Sequence, residues 1–303
     1  MAKIRDLKKN SREYSSKEWF VVSQVENNIW AIREPHYYQD VVSYFIKGRD
    51  KDILIDTGTG LANIYNVLPI TKESNSKNLT VFLTHTHWDH VGGTNFFADV
   101  RVFDNDFETL RLSRGWKPEE ILEFEKHHNA RISQSLSQNY PGIPGLKHFQ
   151  TLKNNQRIDI GGDTLLVIST PGHSPGSVSY YLEKSRNLFT GDTFYVGPIY
   201  LHMKGSDYHQ FLASIQKMEL YLDKLNKIFP AHNDTSLTLQ KFRELSVLIK
   251  GSKSPDFRVD GVDEFNKFTQ YSWHMNDLGD NRRFSLLLPR GTSWPSSQKK
   301  SSA

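Results

Sequence analysis

From residue 18 onward the chain is built of short apolar runs cut by turn formers. Trp19-Phe20-Val21-Val22, Ile29-Trp30-Ala31-Ile32 and Val41-Val42-Ser43-Tyr44-Phe45-Ile46 are rich in β-branched and aromatic residues. Glu26-Asn27-Asn28 and Lys47-Gly48-Arg49-Asp50 separate them, so the pattern predicts an antiparallel meander. Asp52-Ile53-Leu54-Ile55 and Leu79-Thr80-Val81-Phe82-Leu83 read as buried strands. So do Thr164-Leu165-Leu166-Val167-Ile168, Ser177-Val178-Ser179-Tyr180-Tyr181-Leu182 and Asn187-Leu188-Phe189. Elsewhere the spacing turns helical. Phe211, Leu212, Ile215, Met218, Leu222 and Leu225 predict a helix from Tyr208 to Leu225, and a further helix is expected from Thr235 to Ile249. Phe257-Arg258-Val259 and Arg283 to Leu288 read as late strands that close a sheet edge. The mixture is that of an α/β protein.

Composition narrows the class. Cysteine is absent, which excludes a disulfide-stapled fold and any thiolate ligand. Apolar content is 37%, below the usual globular share, but aromatic residues are plentiful, which favours a folded core over disorder. The start, Met1-Ala2-Lys3-Ile4-Arg5-Asp6-Leu7-Lys8-Lys9, carries no apolar leader, and no run approaches the ~20 apolar residues of a membrane span. A soluble, cytoplasmic protein is therefore expected. The net charge of +4 reflects Lys-rich ends, and no basic-aromatic stripe argues for nucleic acid.

The chemistry is concentrated in Thr84-His85-Thr86-His87-Trp88-Asp89-His90-Val91-Gly92-Gly93. Four potential metal ligands follow directly on a strand, where layered α/β folds place their sites. His85 and His87 alternate, so in an extended segment both rings point to one side and can share one ion. Asp89 and His90 turn away and can hold a second. Nitrogen and carboxylate donors suit zinc, with manganese or iron less favoured. Phe96-Phe97 beyond the glycines reads as a helix entry.

This His-x-His-x-Asp-His run resembles the signature of the metallo-β-lactamase-fold hydrolases. The resemblance covers roughly residues 18 to 250. It implies a four-layer αββα sandwich with a dinuclear metal site at one edge. Its remaining ligand positions match His173 in Thr170-Pro171-Gly172-His173, Asp192 in Thr190-Gly191-Asp192-Thr193, and His232 in Phe229-Pro230-Ala231-His232. The implied first metal takes His85, His87 and His173. The second takes Asp89, His90 and His232, and Asp192 bridges the two. Asp56, in Asp56-Thr57-Gly58, either orients a ligand imidazole or caps a helix starting near Leu61. Residues 18–290 are expected to form the hydrolase domain, with residues 1–17 a leader and 291–303 a disordered tail.

The resemblance is weakest over 104–145, which reads as a helical insert with helices from Phe107 to Leu112 and from Pro118 to Gln138. It is expected near the site mouth, as a wall of an acyl or aromatic pocket, with His127-His128 on a solvated face. A bridging Asp looks like the glyoxalase II, lactonase and thioesterase branches, whereas common zinc β-lactamases carry Cys there. Gly191-Asp192-Thr193-Phe194-Tyr195-Val196-Gly197, Pro-Gly-His-Ser and the insert look like the subgroup of metallo-β-lactamase domain-containing protein 2, whose members cleave acyl-CoA thioesters. The implied reaction is cleavage of a small-molecule acyl thioester, lactone or ester by hydroxide formed at two Zn2+ ions. Asp89 and Tyr195 are the expected catalytic residues, Tyr195 by hydrogen-bonding the substrate carbonyl; packing is the alternative for Tyr195. Competing readings are a mononuclear iron persulfide dioxygenase, a β-lactamase-like amide hydrolase, a nuclease and a non-enzymatic scaffold. A homodimer is an option for the assembly.

Overall fold

The computed structural model describes residues 15–70, 78–128, 140–250, 259–265, 267–274 and 283–292. Seven strands lie side by side in chain order: Val21–Glu26, Ile29–Glu34, Val41–Ile46, Asp52–Ile55, Leu79–Phe82, Val100–Phe103 and Gln150–Leu152. The predicted meander is there, antiparallel through the first four strands, after which pairing becomes parallel. A second sheet orders five strands, Arg157–Asp159, Thr164–Ser169, Val178–Leu182, Asn187–Gly191 and Lys227–Pro230. Only its last pair is parallel.

The central strands are buried on both faces, which explains their near-continuous apolar sequence, whereas the edge strand Val21–Glu26 is largely exposed. Val42, Tyr44, Ile46, Ile53 and Ile55 of the first sheet share a core with Leu165, Val167, Tyr180, Phe189 and Phe229 of the second. The alternate residues Val41, Phe45 and Leu54 face outward onto Ile64, Trp88, Leu112 and Ile121. On the far side, Leu166, Ile168, Leu188 and Ile228 pack on Phe211, Ile215, Phe242 and Leu245. Those belong to the helices Tyr208–Glu219 and Leu239–Lys250. The result is the expected αββα order. Two tyrosines tie the sheets together beside the ligand loops: Tyr44 Oη donates to Pro230 O and Tyr180 Oη to Leu83 O, each at 2.6 Å.

Several local expectations need correction. Arg283–Pro289 closes the edge of neither main sheet. It pairs parallel with Pro198–Tyr200 and antiparallel with Phe268–His274, in a separate four-stranded sheet completed by Gly261–Glu264. The segment Pro198–Tyr200 recruits it through its own backbone groups. The helix that begins at Tyr208 stops at Glu219, a 3-10 turn, Leu222–Lys224, follows it, and the next helix begins only at Leu239. A helical turn starts at Trp88, before the glycines, and the entry expected after them is a 3-10 turn, Thr94–Phe96. In the insert, helices run Asp106–Arg114 and Pro118–His128; residues 129–139 lie outside the described residues, as do most of the predicted leader and tail. Among the described residues no helix is long and apolar enough to cross a membrane.

Phe189 is the test of the inter-sheet core. It stacks on Phe229 with centroids 5.0 Å apart and meets Tyr44 edge-on at 5.2 Å. Phe189→Ala should lower unfolding free energy by about 3–5 kcal/mol, read as a shifted urea midpoint at unchanged slope.

Candidate metal centre

Four strand ends deliver the site. Leu79–Phe82 leads into His85 and His87, Thr164–Ser169 into His173, Asn187–Gly191 into Asp192, and Lys227–Pro230 into His232. Close approach of these ends demands glycine. At Gly191 (φ +53) a Cβ would stand 2.7 Å from Thr84 Cβ, and at Gly172 (φ +137) it would stand 2.3 Å from the Phe211 backbone. His87 is extended at the N-terminus of the turn Trp88–Val91, which swings Asp89 and His90 away from the first pair.

All seven sequence-predicted ligands meet. His87 Nδ1 lies 3.0 Å from His85 Nε2 and 2.8 Å from His173 Nε2. Beside this trio, Asp89 Oδ2 stands 3.6 Å from His90 Nε2 and 3.7 Å from His232 Nε2. Within each trio the ligand atoms lie within 4.8 Å of one another. Asp192 stands between them. Its Oδ1 is 3.3 Å from His90 Nε2 and 3.0 Å from His232 Nε2, and its Oδ2 is 3.4 Å from His173 Nε2. His90 Nε2, His232 Nε2 and Asp192 Oδ1 are nevertheless buried with no hydrogen bond. Orphaned buried polar atoms are rare. Three of them converging on one point fit the donor set of a divalent cation.

Electrostatics separates the two halves. Burial, reinforced by neighbouring imidazoles, holds His85 and His87 well below the ordinary imidazole range, and burial likewise lowers His173. Neutral imidazole is the form that offers a lone pair. For His90 and His232 burial works downward, but Asp192 and Asp89 outweigh it and lift both. Burial also opposes the Asp192 charge, and His232, His90 and His173 overcome it, leaving the carboxylate well below its usual range.

A ring of partners fixes the ligands. His173 Nδ1 donates to Tyr200 O at 2.9 Å and His232 Nδ1 to Gln39 O at 3.0 Å. His90 Nδ1 meets Asp56 Oδ2 at 2.9 Å. Each contact points Nε2 at the centre. Asp56 thus sits in the orienting role; the turn near Leu61 is a 3-10 element capped by Asn63. Asp56 also accepts from Thr84 N and Oγ1, both at 2.7 Å.

Sequence reasoning missed Glu108. It is fully buried, on the insert helix Asp106–Arg114. Oε2 accepts from Thr86 N at 2.8 Å and Thr86 Oγ1 at 2.5 Å, and Oε1 from Ser174 Oγ at 2.5 Å and Gly176 N at 3.2 Å. One carboxylate therefore clamps the residue between His85 and His87 to the residue after His173. Its only sequence signal, an acid in a first helical turn, also describes an ordinary dipole contact.

A cleft of about 320 Å3 opens over the cluster, with His87, Asp89, His173 and Asp192 on its floor. Trp88, Trp116, Phe124, Tyr200 and Met203 wall it. Trp116 and Phe124 come from the insert, which stands at the site mouth as expected. Tyr195 lies outside this cleft: it packs on His232 at 4.9 Å, and its hydroxyl donates to Pro198 O.

Comparison with known proteins agrees with this geometry. The family model described as the metallo-beta-lactamase superfamily matches residues 38–237. The chain is 26% identical over 235 residues to the acyl-coenzyme A thioesterase MBLAC2 of Gallus gallus, covering 72% of this chain and 82% of that protein. The Homo sapiens protein of the same name is 24% identical over 243 residues, covering 76% and 86%. Among solved structures, a metallo-beta-lactamase from Pontibacter korlensis superposes with a TM-score of 0.54 at 18% identity, covering 77% of this chain and all (100%) of that one. With the αββα fold, the converging donors and a family match spanning most of the chain, this protein belongs to the metallo-beta-lactamase superfamily.

Proposed function

We propose that this hydrolase cleaves acyl thioesters, with lactones and simple esters as related substrates, using two divalent ions. The observation that carries the reading is the pair of donor trios flanking Asp192, one carboxylate oxygen toward each. The thioesterase relatives support the substrate class and favour it over a persulfide dioxygenase or a β-lactam amide hydrolase. Zinc suits donors that are all imidazole nitrogen and carboxylate oxygen.

His85, His87 and His173 would hold one ion, and Asp89, His90 and His232 the other, with Asp192 shared. When bound, such ions lower the pKa of water to about 7 and polarise a carbonyl. The chain's own part is positional. Neutral His85, His87 and His173 present lone pairs, while Asp89 and Asp192 supply the counter-charge. Trp88, Trp116 and Phe124 exclude water from the acyl side, which strengthens every charge interaction at the floor. Tyr195 would exchange its Pro198 partner for the substrate carbonyl.

Purified protein should carry about two divalent ions per chain and lose thioester hydrolysis on chelation, with recovery on zinc addition. Asp192→Ala should lower kcat/KM by at least about a hundredfold; unchanged turnover in that variant would overturn the reading. Glu108→Gln should weaken metal affinity by about 10–100-fold in chelator competition, with little change in KM once reloaded.

A further inference from the structure

The strand Pro198–Tyr200 forms the edge of the four-stranded sheet, with Arg283–Pro289 on one side of it. That partner lies beyond the region matched by the family model, which ends at residue 237. Along an extended strand, successive residues turn their backbone N–H and C=O groups to opposite sides. Ser285 N donates to Gly197 O at 3.1 Å, and Leu201 N donates to Leu287 O at 2.8 Å. Gly197 and Leu201 therefore face the partner strand, and by the two-residue period so does Ile199 between them. The carbonyls of Pro198 and Tyr200 are left facing the other way.

On that other side lies the candidate centre. Tyr200 O accepts from His173 Nδ1 at 2.9 Å, and Pro198 O accepts from Tyr195 Oη. Pro198 has no N–H to leave unpaired there, as suits a strand edge. A buried edge carbonyl needs a donor, and here the site's own side chains supply it. The chain that follows the strand returns to the same loop, where Ser206 Oγ donates to His173 O at 2.8 Å. Packing supports the edge as well. Tyr200, Phe268 and Leu287 form a small apolar cluster with Met203 against it, and Tyr200 and Met203 also wall the cleft.

Resting on the two-ion reading, we propose that this C-terminal sheet is a positioning element of the metal centre: Arg283–Pro289 places Tyr200 O, and Tyr200 O aims His173. The direction of a ligand imidazole is set by the hydrogen bond of its other nitrogen. The neighbouring trio has supports of its own. His90 leans on Asp56 and His232 on Gln39 O, and neither support belongs to this sheet. Loosening the sheet at Tyr200 therefore weakens the ion shared by His85, His87 and His173 and spares the other. A sheet with a merely structural role would lower stability and treat both ions alike.

Two adjacent leucines separate these outcomes. Leu287 stands opposite Tyr200 and belongs to its cluster, whereas Leu288 faces the helix-packed core. The test withdraws zinc from the full-length protein with a competing chelator and reads the affinity of each ion; His173→Ala identifies which one belongs to the first trio. Leu287→Ala should weaken that ion by about 10–100-fold and leave the other within about threefold. Leu288→Ala should lower the melting temperature and leave both affinities in place. Ser285→Pro, which removes the N–H that Gly197 O accepts, provides a second variant and should act like Leu287→Ala. Equal weakening of both ions in Leu287→Ala, or unchanged affinities despite a lowered melting temperature, would overturn the positioning role alone. A wild-type chain that bound fewer than two zinc ions would overturn the underlying reading with it.

Discussion

The rest of the structure depends on one buried carboxylate. Asp192 is only 5% exposed, and an isolated charge at that depth is prohibitively expensive. Histidines on both sides make its charge tolerable, and its charge in turn raises the pKa of His90 and His232. The same geometry that compensates the carboxylate also divides its two oxygens between two donor sets. Stability and chemistry therefore place identical demands on this position.

Meeting those demands falls to the backbone. Gly191 and Gly172 let strand ends approach to distances that any side chain would block. Carbonyls of Tyr200 and Gln39 then act as acceptors that orient imidazoles. Glu108 adds a strut from the insert, so a segment outside the two sheets is part of the scaffold of the site. Loss of the insert would cost ligand geometry as well as a pocket wall.

The sequence made the candidate ligands legible because each lies in a compact motif directly after an apolar strand. His85 to His90 is contiguous, and His173, Asp192 and His232 each sit within a Gly- or Pro-bearing turn. The double-faced burial was equally readable from strands such as Val41–Ile46, which show no polar alternation. What stayed hidden was tertiary. Glu108 looks like any first-turn acid until Thr86 and Ser174 are brought beside it. Pro198–Tyr200 looks like an apolar loop until Arg283–Pro289 supplies its partner from far along the chain. Gln39 carries no motif, yet its carbonyl reaches His232, beside the contact of Val42 N with Ala231 O at 2.7 Å that joins the two sheets.

That contact has a bearing on biosynthesis. The first sheet's early strands can pair as soon as they leave the ribosome, whereas the strand carrying His232 emerges much later. N-terminal segments collapse first during translation. Until Lys227–Pro230 docks, His85, His87 and Asp89 remain an open half-site with no second wall. Under the proposed two-ion reading, ion capture would fall at the end of chain synthesis, since the donors before residue 227 cannot close the cluster without His232.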